Sequence, residues 1–222
     1  MDDLKKIAAE GAAGLVEDGM IIGLGTGSTA AYVIKAIGER IKEEKIEIMA
    51  VPTSLDSEIL ASECNITLTT LSENPVLDLA IDGADQVDPK LNLIKGKGGA
   101  LTREKIVASS ANKFVVCVDE SKVVDILDDV VPLEVIPIAR NLVEKRIFEM
   151  NGKPELRMAV KKIGPVITDN GNIIIDVAFG EIDEPEALAR ELSSIVGVIE
   201  HGIFTDVYDV FVGREGKAET MR

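Results

Sequence analysis

The chain has 222 residues, 46% of them hydrophobic and 28% charged, enough for one sizeable core or a core with a smaller companion. A net charge of −15, from 39 acidic and 24 basic residues, argues against nucleic acid or an anionic membrane as partner, since both need clustered Lys and Arg. Aromatics make up only 3% and Trp is absent, so base stacking is not the expected mode of recognition.

No apolar run approaches the roughly 20 residues that cross a bilayer. The charged opening MDDLKKIAAE is unlike a secretory signal, so the cytoplasm is the expected location. Cys64 and Cys117 lie far apart, without metal-type spacing or a disulfide-dense pattern. Cys117, inside FVVCVD, reads as a small core residue, and no structural metal is expected.

Residues 2–18 have helical periodicity, with Leu4, Ile7, Ala8, Ala12 and Leu15 on one face. MIIGLG (20–25) predicts a buried strand and 28–41 a helix starting at Ser28 or Thr29. A strand at 46–52, a helix at 54–63 and strands at 66–71 and 76–82 follow. A helix at 103–111 and a strand at 113–119 complete the series. Apolar runs alternating with amphipathic helices indicate a largely parallel sheet covered on both faces.

Beyond residue 131 the pattern changes to strand, helix (139–150), hairpin, helix (185–195) and strand (197–204). Asn170-Gly171 between apolar runs signals a type I′ turn. The order βαββαβ suits a small split βαβ sandwich. YDVFVG (208–213) reads as one more strand returning to the main sheet. The fold expected is therefore α/β: a core of residues 1–130 and 205–222, and a smaller α+β domain at 131–204.

Chemistry concentrates at strand ends, where ligands bind in such sheets. Gly23 to Thr29 follows a strand and opens a helix, so free amides and hydroxyls there suit a phosphate. A dinucleotide fingerprint would place Gly or Ala at Ser28 and an acid after the next strand, where Val51-Pro52-Thr53 stands instead. Asp82 and Asp85 leave the sheet together with Asp78 and Asp88 nearby, and crowded carboxylates can split their pKa values into an acid and a base. Lys95-Gly96-Lys97-Gly98-Gly99 lacks P-loop spacing, yet its glycines can form an anion-holding nest around a fixed cation. Glu104 opens the following helix; an ordinary helix-dipole role predicts an exposed side chain, a catalytic one a buried side chain.

TGST at 26–29, DGAD at 82–85, KGKGG at 95–99, LTREK at 101–105 and DESK at 119–122, in that order, closely resemble the A type of ribose-5-phosphate isomerase. DLKK (3–6), LEVIP (133–137) and TDNGN (168–172) extend the likeness through the chain. The resemblance implies a metal-independent aldose–ketose isomerase of the non-oxidative pentose phosphate pathway that needs no cofactor. It also implies a Rossmann-like three-layer core, a ferredoxin-like lid, and a homodimer or homotetramer acting on a small sugar phosphate.

By this likeness Glu104 shuttles the proton between C2 and C1, and Lys95 with the amides of Gly96 to Gly99 holds the enediolate oxygen. Asp82 and Asp85, with Gly83 and Ala84 between them, are expected to grip sugar hydroxyls, one of them also handling the ring-opening proton. Thr26, Gly27, Ser28, Thr29 and Lys122 are expected at the phosphate, helped by Lys5 or Lys6. Lys97 and Gly98 complete the binding set; Lys97 stands where the family often has glycine, so Lys95 is the preferred cation. Arg103 is expected to pair with an acid of the 82–88 loop, and His201 to be structural.

Two other classes compete. A sugar-phosphate-sensing module would carry a helix-turn-helix, for which the short acidic lead before the first strand has no room. Acyl transfer through a glutamate nucleophile, as in the related coenzyme A transferases, would not require the isomerase motifs.

Overall fold

The computed structural model describes residues 2–222; Met1 lies outside the described residues. Helix α1 (Asp2–Ala13) leads into the alternation β1 (Ile21–Leu24), α2 (Ser28–Glu44), β2 (Met49–Pro52), α3 (Leu55–Glu63), β3 (Thr67–Leu68) and β4 (Leu79–Gly83). Two short strands, β5 (Gln86–Val87) and β6 (Leu93–Ile94), precede α4 (Leu101–Ser109) and β7 (Phe114–Asp119). Then come β8 (Val131–Val135), α5 (Arg140–Glu149), β9 (Lys153–Leu156), β10 (Ile173–Ala178), α6 (Pro185–Ser193) and β11 (Val198–His201). The chain closes with β12 (Ile203–Phe204), β13 (Asp209–Arg214) and β14 (Lys217–Met221).

Contacts divide the chain into two compact units: Met1–Ala84, Arg103–Val123 and Asp206–Arg222 form one, Asp85–Thr102 and Val124–Thr205 the other. The expected small domain, 131–204, lacks the Asp85–Thr102 segment that the second unit includes. The reason is packing, because Ile94 is buried among Leu127, Val131, Leu133 and Ile203.

The first unit is a seven-stranded sheet in the order β14-β13-β7-β4-β1-β2-β3. Every neighbour pair is parallel except β13 with β14. Central strands β4 and β7 are apolar almost throughout because helices bury them on both sides, which is why they read as unbroken hydrophobic runs. Ala8, Ala9, Ala12 and Ala13 of α1 pack into this core beside Ile22, Leu24, Ile34 and Val115. The helix stops at Ala13 rather than continuing to residue 18, leaving Leu15 exposed. Strand β14 has no apolar run to announce it, since its residues are exposed or half-buried at the sheet edge.

The second unit contains a four-stranded antiparallel sheet in the order β11-β8-β10-β9 and a three-stranded sheet β12-β6-β5. With α5 and α6 the former follows the βαββαβ sequence of a split sandwich. Two local expectations are corrected. Gly171 has φ 82° while Asn170 is not among the positive-φ residues, so the turn is not type I′, which needs both. The expected single strand 197–204 is two strands in different sheets. They break at Gly202, where a Cβ would stand 2.2 Å from the Lys95 carbonyl oxygen, so only glycine admits that close approach.

Candidate active site

In the first unit β1 is flanked by β2 on one side and by β4 on the other, so the chain order reverses between β1 and β4. Loops diverge at such a switch point and leave a crevice at the carboxyl ends of the strands. Asp82 and the 25–29 loop occupy those ends. Asp82 is buried, and its Oδ1 accepts the Thr26 N–H at 3.1 Å and the Gly83 N–H at 2.7 Å. The Gly25 N–H donates across the same gap to the Ile81 carbonyl at 2.9 Å.

Helix α2 begins after Gly27, whose φ of 104° only glycine adopts readily, and no side chain caps it. The helix thus starts at Ser28, as expected. Ser28 accepts from the Lys5 ammonium at 3.1 Å, which separates Lys5 from Lys6, an ion-pair partner of Glu10. Thr29 lies beside Gly83. The Thr26 hydroxyl lies 2.7 Å from Thr53 Oγ1 and 2.8 Å from Ser54 Oγ, and Ser54 caps α3. Thr53 and Ser54 escaped the sequence reading, although a Thr-Ser pair ending the strand after a glycine turn is a usable signal. Lys122 ends a short 3-10 helix capped by Asp119.

Glu104 sits in the first turn of α4 and is 4% exposed, whereas an ordinary helix-dipole role predicts an exposed side chain. In the second unit Lys95 is 3% exposed. Its N–H donates to the Gly202 carbonyl, and its ammonium lies 5.4 Å from the centre of the Phe204 ring. Gly96 and Gly99 take φ of 108° and 78°, and the Gly99 N–H closes a tight turn onto the Gly96 carbonyl at 2.9 Å. Asp85 is bound separately from Asp82: its Oδ2 accepts the Lys97 N–H at 3.0 Å. The Lys97 ammonium pairs with Asp129. Among the described residues no group of three or more His, Cys, Asp or Glu side chains is placed to hold a metal.

Two second-unit residues outside the expected set tie this region together. Arg157 donates from Nη1 to the carbonyls of Gly96 and Lys97, at 3.0 Å each, while its Nε and Nη2 engage Asp176. Glu134, fully buried, accepts from Thr168 Oγ1 at 2.8 Å, Asn170 Nδ2 at 3.0 Å, Asn172 Nδ2 at 2.8 Å and the Thr102 hydroxyl. TDNGN and the glutamate of LEVIP thus serve one buried carboxylate that reaches the second residue of α4.

Residues 49–217 match the family ribose 5-phosphate isomerase A (phosphoriboisomerase A). A ribose-5-phosphate isomerase A of Methanosarcina acetivorans is 58% identical over 96% of this chain and 92% of its own length. The chain belongs to the ribose-5-phosphate isomerase A family. The solved isomerase A of Methanocaldococcus jannaschii superimposes with a TM-score of 0.96 at 48% identity, covering 99% of this chain and 98% of that one. A D-ribose-5-phosphate isomerase in complex with phospho-erythronic acid also gives 0.96, at 50% identity, over 99% of this chain and 98% of its own.

Against the isomerase A motifs, the first unit carries TGST, Asp82, Glu104 and DESK, and the second carries Asp85 and KGKGG. His201 lies outside both sets. Its Nδ1 accepts the Ile203 N–H at 3.2 Å and its Nε2 lies 3.1 Å from Ser193 Oγ, a fully engaged structural imidazole. Cys117, next to Asp82's strand, has its thiol pushed up by burial and secondarily by the Asp82 charge, so it is no nucleophile at neutral pH.

Proposed function

We propose that this chain catalyses the reversible isomerisation of D-ribose 5-phosphate and D-ribulose 5-phosphate through an enediolate. The observation that carries the reading is Glu104, a carboxylate only 4% exposed although it stands on the first turn of a helix. A carboxylate shielded from bulk water suits a group that must take a proton from one carbon and return it to the next. Identity of 58% over nearly the whole chain with a protein of that name supports the same substrate.

Ring opening moves the anomeric hydroxyl proton to the ring oxygen, a transfer we assign to Asp82 or Asp85. Glu104 then removes the C2 proton and delivers it to C1, while the O2 hydroxyl proton passes to O1; no atom is gained or lost. The enediolate oxygen develops negative charge, which the Lys95 ammonium and the Gly96 and Gly98 amides would stabilise, those of Lys97 and Gly99 being taken by Asp85 and the Gly96 carbonyl. The uncapped amides of α2, with Thr26, Ser28, Thr29, Lys5 and Lys122, are the proposed phosphate holders.

Glu104→Gln tests the assignment in a ketose-formation assay. Loss of the proton shuttle should lower kcat by about 10²–10⁴-fold, with KM moved by a few-fold at most. A variant turning over near the wild-type rate removes Glu104 from the mechanism. Both cysteines are free, which supports a reducing compartment, the cytoplasm. A homodimer or homotetramer is the proposed assembly, supported by exposed Ile138, Phe148 and Val196 in the second unit. Sedimentation equilibrium reporting a monomer at micromolar concentration would exclude it.

A further inference from the structure

We propose that Arg157 is a positioning residue for the isomerisation: it holds the Gly96–Gly99 loop in the backbone conformation that aims the Gly98 amide at a developing oxyanion. This rests on the reading that Lys95 and this loop stabilise the enediolate.

The geometry is that of a fork fixed at one end. Asp176 takes Nε at 2.7 Å and Nη2 as an ion pair, which fixes the guanidinium plane. The remaining Nη1 donates to the carbonyls of Gly96 and Lys97, both at 3.0 Å. A trans peptide points its C=O and N–H in opposite directions, so tying these two carbonyls to the cation turns the Lys97 and Gly98 amides the other way. Asp85 Oδ2 accepts the Lys97 amide at 3.0 Å, which holds that peptide from its other side.

Without such a clamp the segment would wander, because glycines at φ 108° and 78° have many alternative conformations. A lysine at 157 cannot replace the clamp, since one ammonium cannot grip Asp176 in two places and still reach two carbonyls. The side chains of Arg157 and Asp176 are 17% and 25% exposed, so the pair is sheltered enough to hold its geometry. The sequence signal was there but unread: an arginine inside the apolar stretch LRMAV, and an aspartate inside IIIDVA.

The test measures kcat and KM on ribose 5-phosphate for Arg157→Lys, Arg157→Ala and Asp176→Asn, with melting temperatures and Glu104→Gln in parallel. A misplaced oxyanion loop should lower kcat of Arg157→Lys by about tenfold to a hundredfold, with KM within about threefold and the melting temperature little changed. Methylguanidinium should raise kcat of Arg157→Ala and leave Arg157→Lys, whose ammonium fills the space, unaffected. If Arg157→Ala does not fold, Arg157→Lys and Asp176→Asn carry the test. A kcat within twofold of wild type in Arg157→Lys and Asp176→Asn overturns the proposal, as does a loss confined to KM. Should the wild type form no ketose from ribose 5-phosphate, the isomerase reading falls instead; an active Glu104→Gln removes Glu104 from the mechanism, and an inactive Glu104→Gln beside a normal Arg157→Lys removes only the clamp.

Discussion

A Cβ on Gly25 would stand 2.0 Å from Oδ1 of Asp82, so the backbone of the loop after β1 lies directly against the carboxylate. That closeness lets the Thr26 amide donate to Asp82 at 3.1 Å. Gly25→Ala must push Asp82 off its two amides or open the β1–β4 junction. Such overpacking costs about 1–3 kcal/mol, and displacing a group that grips substrate by 1 Å can cost about a hundredfold in rate. We expect kcat/KM to fall at least that far while the protein still folds; near-normal kinetics would show that Asp82's position is unimportant.

Lys95 and Lys97 should separate cleanly. Lys97 is tied to Asp129 on a half-exposed surface, a contact worth about 0–1 kcal/mol, whereas Lys95 is buried beside Phe204. Lys95→Ala should lower kcat by roughly 10²-fold or more, the size of a lost oxyanion-stabilising group. Lys97→Ala should cost at least ten times less, by the same assay. Equal losses would mean that the assignment of the cation is wrong.

Glu134 is a stability hub. Four side chains donate to it in a fully buried setting, so Glu134→Gln turns an amide N–H₂ towards donors and strands at least one of them. Buried unsatisfied groups cost about 1–3 kcal/mol each, so the melting temperature should drop by several degrees. Thr102→Val removes only one donor and should cost less. A thermal scan showing no shift for Glu134→Gln would mean that the network rearranges freely.

Cys117 predicts both reactivity and alkaline sensitivity. Its folded pKa is raised above the ordinary 9.0 because burial disfavours the thiolate, so the native thiol stays protonated where the unfolded one ionises. The stabilisation is full below about pH 9 and declines above it, by at most about 1.4 kcal/mol per pH unit. The urea midpoint should therefore fall more steeply above that pH in the wild type than in Cys117→Ala. Iodoacetamide should label partly exposed Cys64 first and Cys117 only after unfolding. Labelling of Cys117 in the native state would contradict its burial.

The alternation of apolar runs and helices, the five chemical motifs and the family were all readable along the chain. Strands buried on both faces must be continuously hydrophobic, and loops that hold phosphate or sugar need glycine, hydroxyl and acid at short spacing. What remained invisible was set by partners far away in sequence. Strand β14 is an edge strand whose pairing with β13, not its composition, makes it a strand. Gly202 splits β11 from β12 because of the Lys95 carbonyl more than a hundred positions earlier. Arg157 looks like one polar residue in an apolar stretch until folding sets it under carbonyls 60 and 61 residues away. Local spacing determines which groups can do chemistry; only the folded chain decides which of their dipoles are held, because peptide orientation depends on contacts that no window of sequence contains.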